Sequence, residues 1–287
     1  MQYDVVRRLR CPVCHGRLRL SEGERGPLTC PLGHAFDQAK GGYAQLTAAP
    51  LTHPGDTAAM VAARAGFLAA GHFEPVVGAV VRAAAVAPSE AFVLDLGAGP
   101  GHYLAAVLDL LPDARGLAVD AAKPAVRAAA RAHPRADAIV ADSWQPLPIA
   151  DGVVDIALDV FAPRPGPELA RVLAPHGILV VVTPAPDHLA ELVDRLGLLH
   201  VDPDKRGRVA AALSAFHPVT TESVGAVMHL SHADVAAVVA MGPSAWHSDP
   251  AARQAQIAAL PDPAAVTLSA TVTTYRLTTP ASAEHLR

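Results

Sequence analysis

Asp95-Leu96-Gly97-Ala98-Gly99-Pro100-Gly101 follows an apolar run and opens a helical pattern, and that order of strand, glycine loop and helix decides the fold. In such a context the missing side chains let the backbone approach a bound nucleotide cofactor. Taken alone, the loop would serve a dinucleotide dehydrogenase as well. Three features favour S-adenosylmethionine: the acid Asp95 at the start of the loop, Pro100 inside it, and the acids spaced downstream. Asp120 closes the second strand, where a carboxylate accepts the two ribose hydroxyls, although the following Ala-Ala-Lys-Pro also suits a turn residue. Asp142 closes the third strand, within reach of an adenine amino group. Asp95 has a second reading as a helix cap. An NAD protein also carries an acid at the end of its second strand, so the discriminating point is the absence of a second βαβαβ half.

Around this loop the apolar runs 92–96, 117–119, 138–140, 153–160 and 178–183 alternate with helical patterns near 103–111, 124–132, 168–173 and 187–196. Buried parallel strands with crossover helices explain the alternation. Longer strands are expected at 217–230 and 266–277, forming an antiparallel pair, with helices near 232–240 and 249–260. The expected fold is therefore α/β, a Rossmann-like class I methyltransferase domain over residues 91–287, with a seven-stranded sheet completed at one edge by that pair.

Before it, Cys11-Pro-Val-Cys14 and Cys30-Pro-Leu-Gly-His34 form two knuckles that use all three cysteines of the chain. Each places two ligands one tight turn apart, and a hairpin-forming interval lets Cys11, Cys14, Cys30 and His34 converge tetrahedrally on zinc. Four protein ligands leave no open position for water, so the zinc is structural. A zinc-ribbon-like domain is expected over residues 1–46. Residues 47–90 then hold a proline-rich linker, 47–56, and two helices, 58–70 and 75–85, that cover the cofactor pocket; Asp56 is the expected cap of the first.

The chain has 287 residues, enough for one α/β domain and a smaller module, and it is 51% hydrophobic but only 4% aromatic, so the core is aliphatic. The longest apolar run, 177–183, is far too short to cross a bilayer. Cysteines confined to one metal-type motif fit a reducing, cytoplasmic compartment. Net charge is −4, but residues 1–50 carry seven basic side chains against four acidic ones. A foothold for phosphates would lie there, on Arg7, Arg8, Arg10, Arg17 and Arg19; the alternative is an ordinary solvated face. The lone histidines His133 and His229 are assigned no role.

The order Cys11-Pro-x-Cys14, Gly33-His-x-Phe-Asp-x-Ala39, Gly42-Tyr43, Asp56-Thr-x-x-Met-Val-x-Ala-Arg64 and Gly71-His-aromatic-x-Pro75 resembles the RlmA family of 23S rRNA (guanine-N1)-methyltransferases. The likeness continues through Asp95-Leu-Gly-x-Gly, Phe161-Ala-Pro-Arg164, Thr183-Pro-x-x-Asp-His-Leu189 and Met241-Gly-Pro-Ser-x-Trp-His247, and so spans nearly the whole chain. The last three blocks look most like the branch that includes the tylosin-resistance methyltransferase. The resemblance implies S-adenosylmethionine as cofactor, the four zinc ligands unchanged, and a guanine of hairpin 35 as target, with guanine 748 favoured and macrolide resistance as a consequence. It implies cofactor contacts from Gly101, His102, His188 and Phe73, the last standing where the family usually has tyrosine. Where the family has Gly-Tyr-Val-Asn-Leu, this chain has Ala44-Gln45 after Tyr43. The resemblance also implies pairing into a homodimer.

Methylating nitrogen 1 requires loss of its proton and an unpaired base. Asp159, at the end of the fourth strand, is the candidate to orient the base or accept that proton; its alternative is a structural acid. The zinc module is expected to grip the RNA stem while Phe161, Trp246 or another ring stacks on the base. Two other readings stand: a methyltransferase of small natural products, and a non-catalytic RNA-binding protein with a relic pocket.

Overall fold

The computed structural model describes residues 1–21, 26–51, 55–198, 205–242 and 250–278. Five parallel strands form the centre of the main sheet: β5 (Phe92–Leu96), β6 (Arg115–Asp120), β7 (Ala136–Val140), β8 (Val154–Val160) and β9 (Leu173–Pro184). Every residue of β5 and β7 is buried, which is why these strands read as unbroken apolar runs and not as alternating ones. The long strands β10 (Phe216–Leu230) and β11 (Ala264–Leu277) pair antiparallel over 14 residue pairs, and β11 joins the sheet through β9.

Among the described residues the sheet has eight strands, one more than expected, in the order β10-β11-β9-β8-β5-β6-β7-β4. The additional strand, β4 (Tyr43–Gln45), lies parallel to β7, and Leu46 continues the ladder by donating its N–H to the Val140 carbonyl. It comes from the end of the zinc segment, so the two expected domains share a sheet.

They also share a core. One face of the sheet is covered by α2 (Ala58–Ala69), α3 (Glu74–Ala84), α4 (His102–Leu110), α5 (Lys123–Ala129) and α7 (Ala190–Leu196). On that face lie also α9 (His232–Ala240), which opens on a Ser231/Asp234 capping box, and α10 (Pro250–Ala258). The other face carries α6 (Gly166–Val172) and the zinc module, whose Val5, Val6, Leu9, Cys11 and Leu28 pack in one cluster with Leu94, Val119 and Ile139. The connection from β7 to β8 has no helix, and the module fills the place one would take. Leu9 bridges Ile149, Arg10 N–H donates to the Pro148 carbonyl, and Ala150 N–H to that of Arg8.

Thr57, and not Asp56, caps α2, its hydroxyl accepting the Met60 N–H at 3.3 Å. Asp56 instead pairs with Arg64, two turns into the same helix. No single helix among the described residues is long and apolar enough to cross a membrane.

Candidate functional site

Within the zinc module, β1 (Arg19–Leu20), β2 (Leu28–Thr29) and β3 (Ala35–Phe36) form a small antiparallel sheet that brings the two knuckles together. The ligand atoms of Cys11, Cys14, Cys30 and His34 all lie within 4.8 Å of one another. The separations Cys14 Sγ to Cys30 Sγ, 3.5 Å, Cys30 Sγ to His34 Nδ1, 3.4 Å, and Cys11 Sγ to His34 Nδ1, 3.6 Å, are tetrahedral edges. Bonds of about 2.0 to 2.3 Å to a central zinc require edges of about 3.3 to 3.8 Å, so this set fits the metal.

Three glycines shape the main cleft. Gly97 turns the chain away from β5 at φ +69°, and a Cβ on it would stand 2.7 Å from that of Ala162. Gly101 caps α4 at φ +81°, where a Cβ would meet the Ala129 backbone at 3.0 Å. Between them Gly99 donates its N–H to Asp120 Oδ2 at 2.9 Å, while Oδ1 of the same carboxylate accepts the Ala122 N–H at 2.8 Å. Burial raises the Asp120 carboxyl above the usual range, and these two N–H donors work against that rise.

Asp95 points into the cleft from β5 and is 1% exposed, with Oδ2 lacking a hydrogen-bond partner among the described residues. Burial, then the nearby Asp120 charge, pushes its carboxyl up to about 7. The Tyr103 hydroxyl, from α4, lines the same cleft and is likewise buried and unpartnered. Unsatisfied buried polar atoms are costly. Two of them, beside backbone left bare by glycine and a carboxylate at the end of β6, fit a polar nucleoside-bearing cofactor.

Arg64 was read from the sequence only as part of a motif, yet it ties the site together. Its guanidinium bonds Asp56 and the Met241 carbonyl and lies 3.3 Å from where a Gly99 Cβ would be. Nothing in the sequence marks Tyr103. His102 opens α4 half-buried, and burial lowers its basicity.

At the mouth, Phe73, Phe161 and His188 form an aromatic cluster. The Phe161 and His188 rings stack at 6.0 Å and 18°, and Phe73 meets His188 edge-on at 5.9 Å. His188 Nδ1 accepts the Ser269 N–H at 3.2 Å, which fixes the ring. Phe161 adopts φ +54°, a conformation that costs a non-glycine residue on the order of 1 kcal/mol, and its ring remains 37% exposed. Trp246 lies outside the described residues.

Asp159 is elsewhere. Leu158 and Val160 face the helical side of β8, so the residue between them faces the opposite side. There it is fully buried, 3.4 Å from Arg164 Nε, and it does not line the cleft. The geometry there is that of a buried ion pair, the alternative the sequence left open for this acid. Asp142, nearly buried, uses Oδ1 to accept the Trp144 N–H at 2.9 Å and lines a separate hollow beside Pro12 and Leu46. Of the five arginines, Arg8 lies 4.7 Å over the Phe92 ring and Arg10 pairs with Asp151 at 3.3 Å, so both bind the module to the large domain. Arg7, Arg17 and Arg19 are exposed.

Comparison with known proteins agrees with this arrangement. A zinc-ribbon family model described as "RlmA, N-terminal" matches residues 9–50, and one described as "Methyltransferase domain" matches residues 93–177. The 23S rRNA (guanine(748)-N(1))-methyltransferase of Streptomyces fradiae is 49% identical over 280 residues, covering 96% of this chain and 99% of its own. A Micromonospora griseorubida protein assigned by name to the 23S rRNA (guanine-N(1))-methyltransferases is 48% identical over 295 residues, covering 96% and 99%. Among solved structures, a chain from the complex of the Haloferax volcanii Trm112 methyltransferase activator with a methyltransferase aligns with TM-score 0.52 at 17% identity. It covers 79% of this chain and 100% of its own, and it bears on the fold alone.

Proposed function

The chain belongs to the RlmA family of 23S rRNA (guanine-N1)-methyltransferases, and from that premise we propose that its acceptor is nitrogen 1 of guanine 748 in hairpin 35. The observation that carries the choice of guanine is the 49% identity, across 96% of the chain, to a relative named for that position. The enzyme depends on S-adenosylmethionine, which when bound supplies an electrophilic methyl group.

The chain's own residues do the rest. Asp95 Oδ2 and the Tyr103 hydroxyl, both unpartnered, and the Asp120 carboxylate are the groups that would hold the cofactor, on a floor of glycine backbone. Arg64 locks that floor against α2. Nitrogen 1 lies on the pairing edge of guanine, so the base must be unpaired or extruded to be reached. Phe161, held rigid by its backbone and by His188, is the platform at the cleft mouth for that base. Exposed Arg7, Arg17 and Arg19 on the zinc module supply phosphate contacts to the stem. The cytoplasm is where such a substrate is met, and resistance to tylosin-type macrolides is the cellular consequence.

The test is methyl transfer from labelled S-adenosylmethionine to an unmodified 23S rRNA domain II fragment, mapped by blocked primer extension. A stop at guanine 748 is expected. A stop at a neighbouring guanine would move the assignment, and no transfer at all would overturn it.

A further inference from the structure

Trp144 is 60% exposed, the most exposed of the described aromatic side chains after Tyr3. It does not sit on a slack loop. The Asp142 carboxylate accepts its N–H at 2.9 Å, and Gln145 N–H closes the turn on the Asp142 carbonyl at 3.1 Å. The backbone at Trp144 is thus fixed, and its ring stands exposed on a turn that follows the third parallel strand, a surface suited to a flat partner.

The surroundings define that partner. Trp144 lines an open cavity of about 520 Å³ with Gln145, Pro146, Arg164 and, from α8 (Lys205–Ala212), Ala211 and Ala212. α8 also presents Arg208, which is exposed, in a part of the chain that is net acidic. The acid in the cavity, Glu168, is already engaged by Arg171 at 2.7 Å and by the Leu147 N–H at 2.6 Å, so it offers little repulsion to an anion.

The position is as informative as the chemistry. Gln145 and Pro146 are shared with the hollow that reaches Pro12 of the first zinc knuckle. Arg164 lies three residues beyond Phe161 on the loop that closes the main cleft. Trp144 follows β7 and Arg164 follows β8, so both stand at the carboxyl edge of the parallel strands, the edge that also carries the glycine loop after β5 and Phe161 after β8.

We propose that Trp144 is a stacking platform for an unpaired RNA base flanking the target guanine, with the adjoining phosphates beside α8. This rests on the rRNA reading above. Aromatic stacking is indifferent to base identity, so Trp144 holds the strand and leaves the choice of base to the cleft.

Full-length Trp144→Ala and Trp144→Phe are compared with wild type for hairpin affinity, for single-turnover methylation and for S-adenosylmethionine affinity. Trp144→Ala is expected to bind the hairpin about 5- to 150-fold more weakly, with cofactor affinity unchanged and Trp144→Phe largely restoring binding. Because the chain has only two tryptophans, RNA-dependent quenching of the wild-type emission should be mostly lost in Trp144→Ala. Abasic substitution of each loop nucleotide in turn should find one flanking position whose loss weakens wild type but not Trp144→Ala. Wild-type methylation with unaltered Trp144→Ala affinity, or with no coupled nucleotide, overturns this inference alone. Failure of wild type to methylate the hairpin overturns the rRNA reading and this inference with it.

Discussion

Replacing Asp95 with asparagine is expected to make the cofactor-free protein more stable while weakening its hold on S-adenosylmethionine. The carboxyl is buried beside Asp120 and leaves one oxygen unpartnered, and its pKa rises from 3.8 to about 7. The unfolded chain releases that proton near 3.8, whereas the folded chain holds it to about 7. Between these values the folded state binds more protons, so its stability falls as pH rises, and above about 7 the full penalty is in place. For one group with these two pKa values the penalty is about 2 kcal/mol at pH 5 and about 4 kcal/mol at pH 8. Asparagine carries no such penalty. Urea unfolding of both proteins without cofactor, from pH 5 to 8, should show the advantage of Asp95→Asn growing by about 2 to 3 kcal/mol across the range. Calorimetric titration at pH 8 should show a cofactor affinity lower by roughly 10- to 150-fold, the contribution of a hydrogen bond to a charged group. Stability curves that run parallel with pH would refute the burial argument, and undiminished cofactor affinity would remove Asp95 from the binding set.

Two further outcomes test how the modules are joined. Since Cys11 and Cys30 belong to the same core cluster as Leu94 and Val119, metal removal should not release an independent domain. Scanning calorimetry with a chelator should show one cooperative transition lowered by roughly 10 °C, whereas two separate transitions would mean the shared core carries little energy. Gly101→Ala adds a Cβ 3.0 Å from the Ala129 backbone at φ +81°. The combined cost of crowding and left-handed strain, about 2 to 5 kcal/mol, should appear in denaturant midpoints along with weaker cofactor binding, and a neutral variant would show that α4 and α5 move apart easily.

Much of the fold was legible because its signals are local. The parallel strands are buried on both faces, and so they stand out as apolar runs between helical patterns. The glycine loop and the zinc quartet are short motifs in which spacing encodes geometry. Where the sequence misled, the deciding quantity was not local. Tyr43–Gln45 is only three residues long, and what makes it a strand is β7, more than 90 residues away. Asp159 lies in a run that is apolar on both faces, which hides the parity that turns it toward Arg164 and away from the cleft. Arg8 and Arg10 look like part of a basic face, but their partners Phe92 and Asp151 are distant in the chain.

The sequence by itself determined the α/β class, the metal-type quartet, the glycine loop and the acids beside it, because each depends on residue types at short separations. Only the tertiary structure decided which face each side chain serves. It joined the zinc module to the sheet as an eighth strand and a shared core, left one Asp95 oxygen and the Tyr103 hydroxyl without a partner among the described residues in one cleft, and held Trp144 open to solvent. Those outcomes depend on burial and on contacts across long stretches of chain, which exist only once the sheet has closed.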